Sequence, residues 1–244
     1  MPDSGSVEIK VNLGGSFADA RTRLELTGGK DGDLYFLDDL SPGLPESLPL
    51  LHNGIVLRIR TKGDQGDVTV KLRPCRRSQV RRHWIEALAD RHDGSDLELK
   101  AEQDWSGQRR TLAISATSQT SSDKNATAIA RDHPNSLFDS EQLRFLNDCG
   151  SIVINPEQLT LLGPITITRW KEIAFSEFTL NAERWRLAEL DVLELSIISP
   201  LDEARDRQAT FLTAITEAEL TLRTEQRNKT ETFLAALAET AAPR

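Results

Sequence analysis

Three pairs of basic residues repeat at a spacing of two: Arg58 and Arg60, Lys71 and Arg73, Arg169 and Lys171. In a β-strand, residues two apart share a face, so each pair presents two cations side by side. Like charges facing each other on paired strands are unfavourable, and a sheet that gathers them needs an anion. Arginine offers a planar fork and lysine a point charge, which together suit polyphosphate oxygens. Glu8 and Lys10 share a strand face near the start of the chain, and Glu194 stands in the last strand-like segment. Carboxylates beside a bound polyanion repel it unless a hard cation such as Mg²⁺ or Mn²⁺ bridges the two.

Strict alternation places these residues on strands. Val7, Ile9, Val11 and Leu13 oppose Glu8, Lys10 and Asn12. Ile55, Leu57 and Ile59 oppose Val56, Arg58 and Arg60, and Val68, Val70 and Leu72 oppose Thr69, Lys71 and Arg73. Leu97, Leu99, Ala101 and Trp105 oppose Glu98, Lys100, Glu102 and Asp104. A one-residue slip would exchange the two faces, so the register is well specified. Gly63-Asp64-Gln65-Gly66-Asp67 reads as a hairpin turn. Further strands are predicted over 34–37, 108–115, 165–175, 177–180 and 184–198. Arg169 and Lys171 share parity with Ile165 and Ile167, which points either to a bulge or to a wrongly assigned strand there.

Helical spacing appears at Val80, Trp84, Ile85 and Leu88, and again after Asp139, where Gln142 completes a capping box. Residues 116–135 are rich in Ser, Thr, Asp and Asn without periodicity and read as a mobile loop. A barrel domain over 1–200 is expected, followed by a helical segment over 201–244 packed on it through Phe211, Leu212, Ile215, Leu220, Phe233 and Leu237.

Of the 244 residues, 38% are hydrophobic and 28% charged, with a formal net charge of −8. That balance argues against nucleic acid or an anionic membrane as partner; any anion site must come from local convergence of cations. No stretch approaches the ~18 apolar residues of a membrane span, and Met1-Pro2-Asp3-Ser4-Gly5 does not open a signal peptide. Cys75 and Cys149 read as free thiols of a cytoplasmic protein. His52, His83, His92 and His133 lack zinc spacing. Glu102 and Asp104 read as the solvated face of their strand, with a carboxylate supply for the site as the alternative. Arg76, Arg77, Arg81 and Arg82 read as a solvated helix start, with an electropositive mouth as the alternative.

Three segments together carry a family resemblance. They are Val7-Glu8-Ile9-Lys10; Tyr35-Phe36-Leu37-Asp38 followed by Leu51 and Gly54-Ile55-Val56-Leu57-Arg58-Ile59-Arg60; and Val68-Thr69-Val70-Lys71-Leu72-Arg73. In this order the chain resembles the CYTH-type triphosphate tunnel metalloenzymes, which include inorganic triphosphatases, thiamine triphosphatases and class IV adenylyl cyclases. The resemblance implies an α+β fold: an eight-stranded antiparallel tunnel β-barrel with flanking helices and a long C-terminal helix. It implies Lys10, Arg58, Arg60, Lys71, Arg73 and Arg169 as phosphate ligands, with Lys171 beside Arg169. Glu8 and Glu194 would hold Mg²⁺ or Mn²⁺, and Glu189 with Asp191 is the alternative register. Ser6 and Ser196 stand where the family usually carries carboxylates. The expected activity is hydrolysis of an inorganic or organic triphosphate, with Lys10 and Glu8 catalytic, in a monomer or homodimer. The alternative is a non-catalytic polyphosphate- or nucleotide-binding protein; a cyclase would need an adenine pocket that the sequence does not show.

Overall fold

The alternating segments pair edge to edge until the sheet meets itself. The computed structural model describes residues 6–41, 48–89 and 97–241. Its strands are β1 (Ser6–Leu13), β2 (Lys30–Asp39), β3 (Ile55–Lys62), β4 (Gln65–Leu72), β5 (Leu97–Ser106), β6 (Arg109–Ser121), β7 (Leu159–Phe175), β8 (Phe178–Leu187) and β9 (Leu190–Pro200). They form a closed barrel in the order β1-β5-β6-β4-β3-β2-β7-β8-β9. The helices are α1 (Phe17–Arg23), α2 (Pro49–His52), α3 (Arg82–Ala89), α4 (Ser122–Ala130), α5 (Ser140–Cys149), α6 (Ala204–Glu217) and α7 (Lys229–Ala241). Among the described residues no helix is long and apolar enough to cross a membrane.

The α+β tunnel barrel is as expected, with two differences. Nine strands are described where eight were implied, and one junction is parallel, β1 running beside β5 over Val7–Lys10. The predicted strand over 184–198 turns back at Ala188, whose φ of 48° is left-handed. That turn carries neither Gly nor Pro, the usual markers of a reversal. Closure pairs the whole of β1 with β9, from Ser6 opposite Pro200 to Leu13 opposite Leu193.

Two local readings change as well. Lys62 pairs with Gln65, so the hairpin turn is only Gly63-Asp64, and Asp67 belongs to β4. Register then sets Arg60 opposite Asp67, Arg58 opposite Thr69 and Lys71 opposite Val56. The two basic pairs are therefore offset along the barrel, and Asp67 relieves the like-charge repulsion expected between them. Residues 116–135 are not a mobile loop: β6 continues to Ser121, whose hydroxyl accepts from Lys124 N to start α4. Asn125, fully buried, donates to the Arg60 carbonyl. Polar residues that serve backbone groups in this way leave no apolar period to read.

Most of the apolar core lies outside the barrel, between its wall and the helices. Val7, Ile9, Val11 and Leu13 pack with Phe211 and Ile215 of α6. Leu57, Ile59, Val68 and Val70 pack with Trp84 of α3 and with Phe145 and Leu146 of α5. Burial of these outward faces is the main favourable term holding helices to sheet. The α5 capping box between Asp139 and Gln142 forms as expected, and Gln142 also donates to the carbonyls of Val68 and Ala116, tying the helix to β4 and β6. Cys75 and Cys149 are free and buried in this layer; loss of solvent, then the neighbouring Cys149, pushes the Cys75 thiol up to about 11.

The inward face is polar except at one end. Trp185 shares its face with Glu183, Val192 with Glu194, and Ile165 and Ile167 with Arg169, while Leu34 and Phe36 stand opposite Arg60 and Arg58. These apolar residues pack against Phe233, Leu234 and Leu237 of α7, which covers that end of the barrel. The shared parity of Ile165, Ile167 and Arg169 thus marks one inward face that changes from apolar to charged along its length. A bulge follows between Trp170 and Ile173. The predicted helical stretch after 201 is two helices, α6 and α7.

Candidate functional site

The inward faces enclose a cavity of about 860 Å³. Glu8, Lys10, Arg58, Arg60, Lys71, Arg169, Lys171 and Glu194 all line it, brought together from β1, β3, β4, β7 and β9. Arg73, just past β4, does not line it but reaches the same charge cluster through Asp104. Asp191 lies on the outward face, where it binds Arg184 at 2.8 Å, and Glu189 is exposed at the β8–β9 turn. Glu194, not the alternative pair, therefore faces the tunnel. Arg76, Arg77, Arg81, Arg82 and the described histidines lie off its wall, and His92 falls outside the described residues.

Asp104 organises one cluster. Its side chain is 0% exposed, with Lys10 Nζ at 2.9 Å, Arg73 Nε at 3.2 Å and Lys71 Nζ at 3.9 Å. Lys10 also meets Glu8 at 2.8 Å, and Lys71 meets Glu102 at 3.1 Å. The expectation that Glu102 and Asp104 form a solvated face is overturned: barrel closure turns that face inward. Burial alone would raise the Asp104 carboxyl, but Lys10, Lys71 and Arg73 hold it well below the usual carboxylate range. Burial likewise opposes ionisation of Glu102, yet Lys71 and Lys100 bring it down to about 2. Burial works to lower Lys10, and Glu8, Asp104 and Glu194 outweigh it and hold the ammonium above the lysine range.

Asp67 organises a second cluster, accepting from Arg60 Nε at 2.6 Å and from Arg58 at 3.4 Å. Arg58 Nε is buried and has no hydrogen-bond partner among the described residues. A third cluster lies under α7. Glu183 binds Arg169 at 2.7 Å and Lys229 at 2.9 Å, and Lys229 reaches Glu194 at 3.1 Å. Lys229, its side chain only 5% exposed, also lies 4.4 Å from the Trp185 ring centroid. Against the penalty of burial, Lys229 and Arg169 hold the Glu183 carboxyl far below its ordinary range.

Sequence reasoning did not find Asp67, Glu183 or Lys229. Asp67 was absorbed into an apparent turn. Lys229 comes from a helix, where no strand parity points to it. Glu183 shares parity with Trp185, which reads as packing, and only the pairing of β8 with β9 sets it opposite Glu194.

The carboxylates do not assemble a ready cage for Mg²⁺ or Mn²⁺. Glu8 is laddered opposite Ile198 and Glu194 opposite Asn12, four positions or roughly 13 Å apart along the strands. Lys10 engages one and Lys229 the other. No group of three or more His, Cys, Asp or Glu that could hold a metal occurs among the described residues, although hard divalent ions take several oxygen ligands. The donor set does not fit a resident ion shared by Glu8 and Glu194.

Known structures share this architecture. A proposed adenylyl cyclase from Hippeastrum, described as having a dominant triphosphatase activity, superposes with a TM-score of 0.59 at 13% identity, over 95% of this chain and 96% of that one. The chain has the CYTH-type tunnel fold. A proposed adenylate cyclase from Bacillus halodurans matches the tunnel fold with a TM-score of 0.59 at 15% identity, over 94% of this chain and 98% of that one. No protein-family model and no curated protein matches the sequence.

Proposed function

We propose that the tunnel binds a triphosphate compound by its terminal phosphates and hydrolyses it. The observation that carries this reading is the convergence of Lys10, Arg58, Arg60, Lys71 and Arg169 inside one cavity, with the Arg58 Nε donor left unmatched among the described residues. A buried donor without an acceptor costs about 1–3 kcal/mol, which an anionic oxygen would recover. The fold shared with the Hippeastrum protein, and the triphosphatase activity described for it, support the same assignment.

In this reading phosphate oxygens replace carboxylates as partners of the tunnel cations. Water attacks the terminal phosphorus while its bond to the bridging oxygen breaks. Phosphoryl transfer depends mainly on position and charge stabilisation. Lys10, which keeps its proton between Glu8 and Asp104, and the arginines supply that stabilisation. Glu8, on the wall beside Lys10, is the carboxylate offered to the proton of the attacking water. Mg²⁺ or Mn²⁺ enters only as part of the triphosphate substrate complex, and no step is assigned to a resident ion.

Ser6 and Ser196 favour a second reading, a binder without turnover, because they leave the wall short of free carboxylates. Phosphate release from tripolyphosphate and nucleoside triphosphates, with Mg²⁺ and Mn²⁺ supplied separately and binding followed by calorimetry, separates the two. Hydrolysis that falls by about 10²–10³-fold in Arg58→Ala supports the enzyme. Binding without release assigns the binder. Neither binding nor release ends the proposal.

A further inference from the structure

Cations deep in the tunnel and cations at its open end are balanced differently. Lys10, Arg60, Lys71, Arg169 and Lys229 each pair with a carboxylate. At the end away from α7, a second cavity of about 520 Å³ shares Arg169, Trp170, Lys171 and Glu172 with the tunnel wall and adds Lys30 and Lys62. Lys30, Lys62 and Lys171 come from β2, β3 and β7, which are neighbours in the barrel. They make no ion pair with the described residues, while Lys30 and Lys171 are exposed and Lys62 is half-buried. Partial loss of solvent, then repulsion from Lys171, Arg169, Lys30 and Arg60, holds the Lys62 ammonium below its ordinary range. Backbone geometry keeps the strands close here: a Cβ on Gly32 would lie 2.0 Å from the Thr61 carbonyl oxygen.

We propose that Lys30, Lys62 and Lys171 form a subsite for a further phosphate, so that the preferred substrate is a linear inorganic polyphosphate longer than three units. The inference rests on the triphosphate reading above and extends it. With α7 across one end, a ligand passes in through the other, its terminal phosphates leading. Whatever trails behind lies against these lysines. A sugar and base would bring no charge to them, whereas another phosphate brings the anion that three unpaired ammonium groups lack.

Calorimetry with tripolyphosphate, tetrapolyphosphate and ATP, on the wild-type chain and on Lys30→Gln/Lys62→Gln, tests this. Tetrapolyphosphate is expected to bind about tenfold tighter than tripolyphosphate, with ATP no tighter than tripolyphosphate. The double variant should bring the tetrapolyphosphate-to-tripolyphosphate ratio near one, and added salt should shrink the wild-type ratio. A ratio near one in the wild type, a ratio kept in the variant, or tighter binding of ATP overturns the subsite while leaving the triphosphate reading in place. Loss of binding to all three ligands overturns both. Both lysines project from the mouth, so unchanged thermal unfolding of the double variant confirms that the ratio reports binding.

Discussion

Around Asp104 and Glu183, in the middle and at the covered end of the tunnel, ammonium and guanidinium groups are locked to carboxylates, whereas at the mouth Lys30, Lys62 and Lys171 have no such partners among the described residues. The inner clusters are out of water, so an unpaired charge there would be severely penalised; the mouth is wet, and the same charge is tolerated. The difference separates two tasks. Internal pairing offsets the burial of these charges, and under the proposed function it would admit only a ligand with enough charge to replace the carboxylates. Under the same proposal, the rim cations would attract that ligand over a distance.

The sharpest way to break this contrast is Asp104→Ala. It leaves Lys10, Lys71 and Arg73 around a vacancy in a fully buried position, and removing one member of a buried ion pair costs about 3–5 kcal/mol. Urea unfolding should show that loss, and tripolyphosphate should restore part of it by supplying the missing negative charge. Wild-type stability would place these cations in ordinary solvent.

Acid should weaken the same inner clusters. Glu102 is held down to about 2, and Asp104 and Glu183 also lie below their ordinary range. Groups with depressed folded values stabilise above their unfolded values and lose that contribution as protons bind. The melting temperature should therefore fall as pH drops from about 4.5 to about 2, and Glu102→Gln should flatten the upper part of that fall. A profile level down to pH 2 would contradict the pairing.

The smallest effect belongs to the mouth. Lys62→Gln removes no ion pair and relieves some repulsion, so its unfolding free energy should stay within about 0.5 kcal/mol of wild type. A loss comparable to that of Asp104→Ala would erase the contrast.

The parts of this arrangement that could be read in the sequence are those governed by strict alternation. Val7 to Leu13, Ile55 to Arg60 and Val68 to Leu72 each carry one apolar and one charged face, and that pattern fixed both register and the inward cations. Capping chemistry made Asp139 and Gln142 legible too. What escaped depended on long-range closure. Whether Glu102 and Asp104 face water or a tunnel depends on β5 docking beside β1, which no local spacing encodes. Ile165 and Ile167 share a face with Arg169, which breaks the apolar-charged alternation, because α7, far along the chain, makes part of the inward face apolar. Lys229 escaped for the same reason.

Because Phe211, Trp84 and Phe145 brace the barrel from outside, the polar lining carries little of the packing that keeps the wall upright. Positions such as Thr117, Gln119 and Thr179 on that lining can be exchanged without opening a gap in the greasy layer behind them. A vessel supported by its jacket is free to change its contents, and the shape endures at 13% identity.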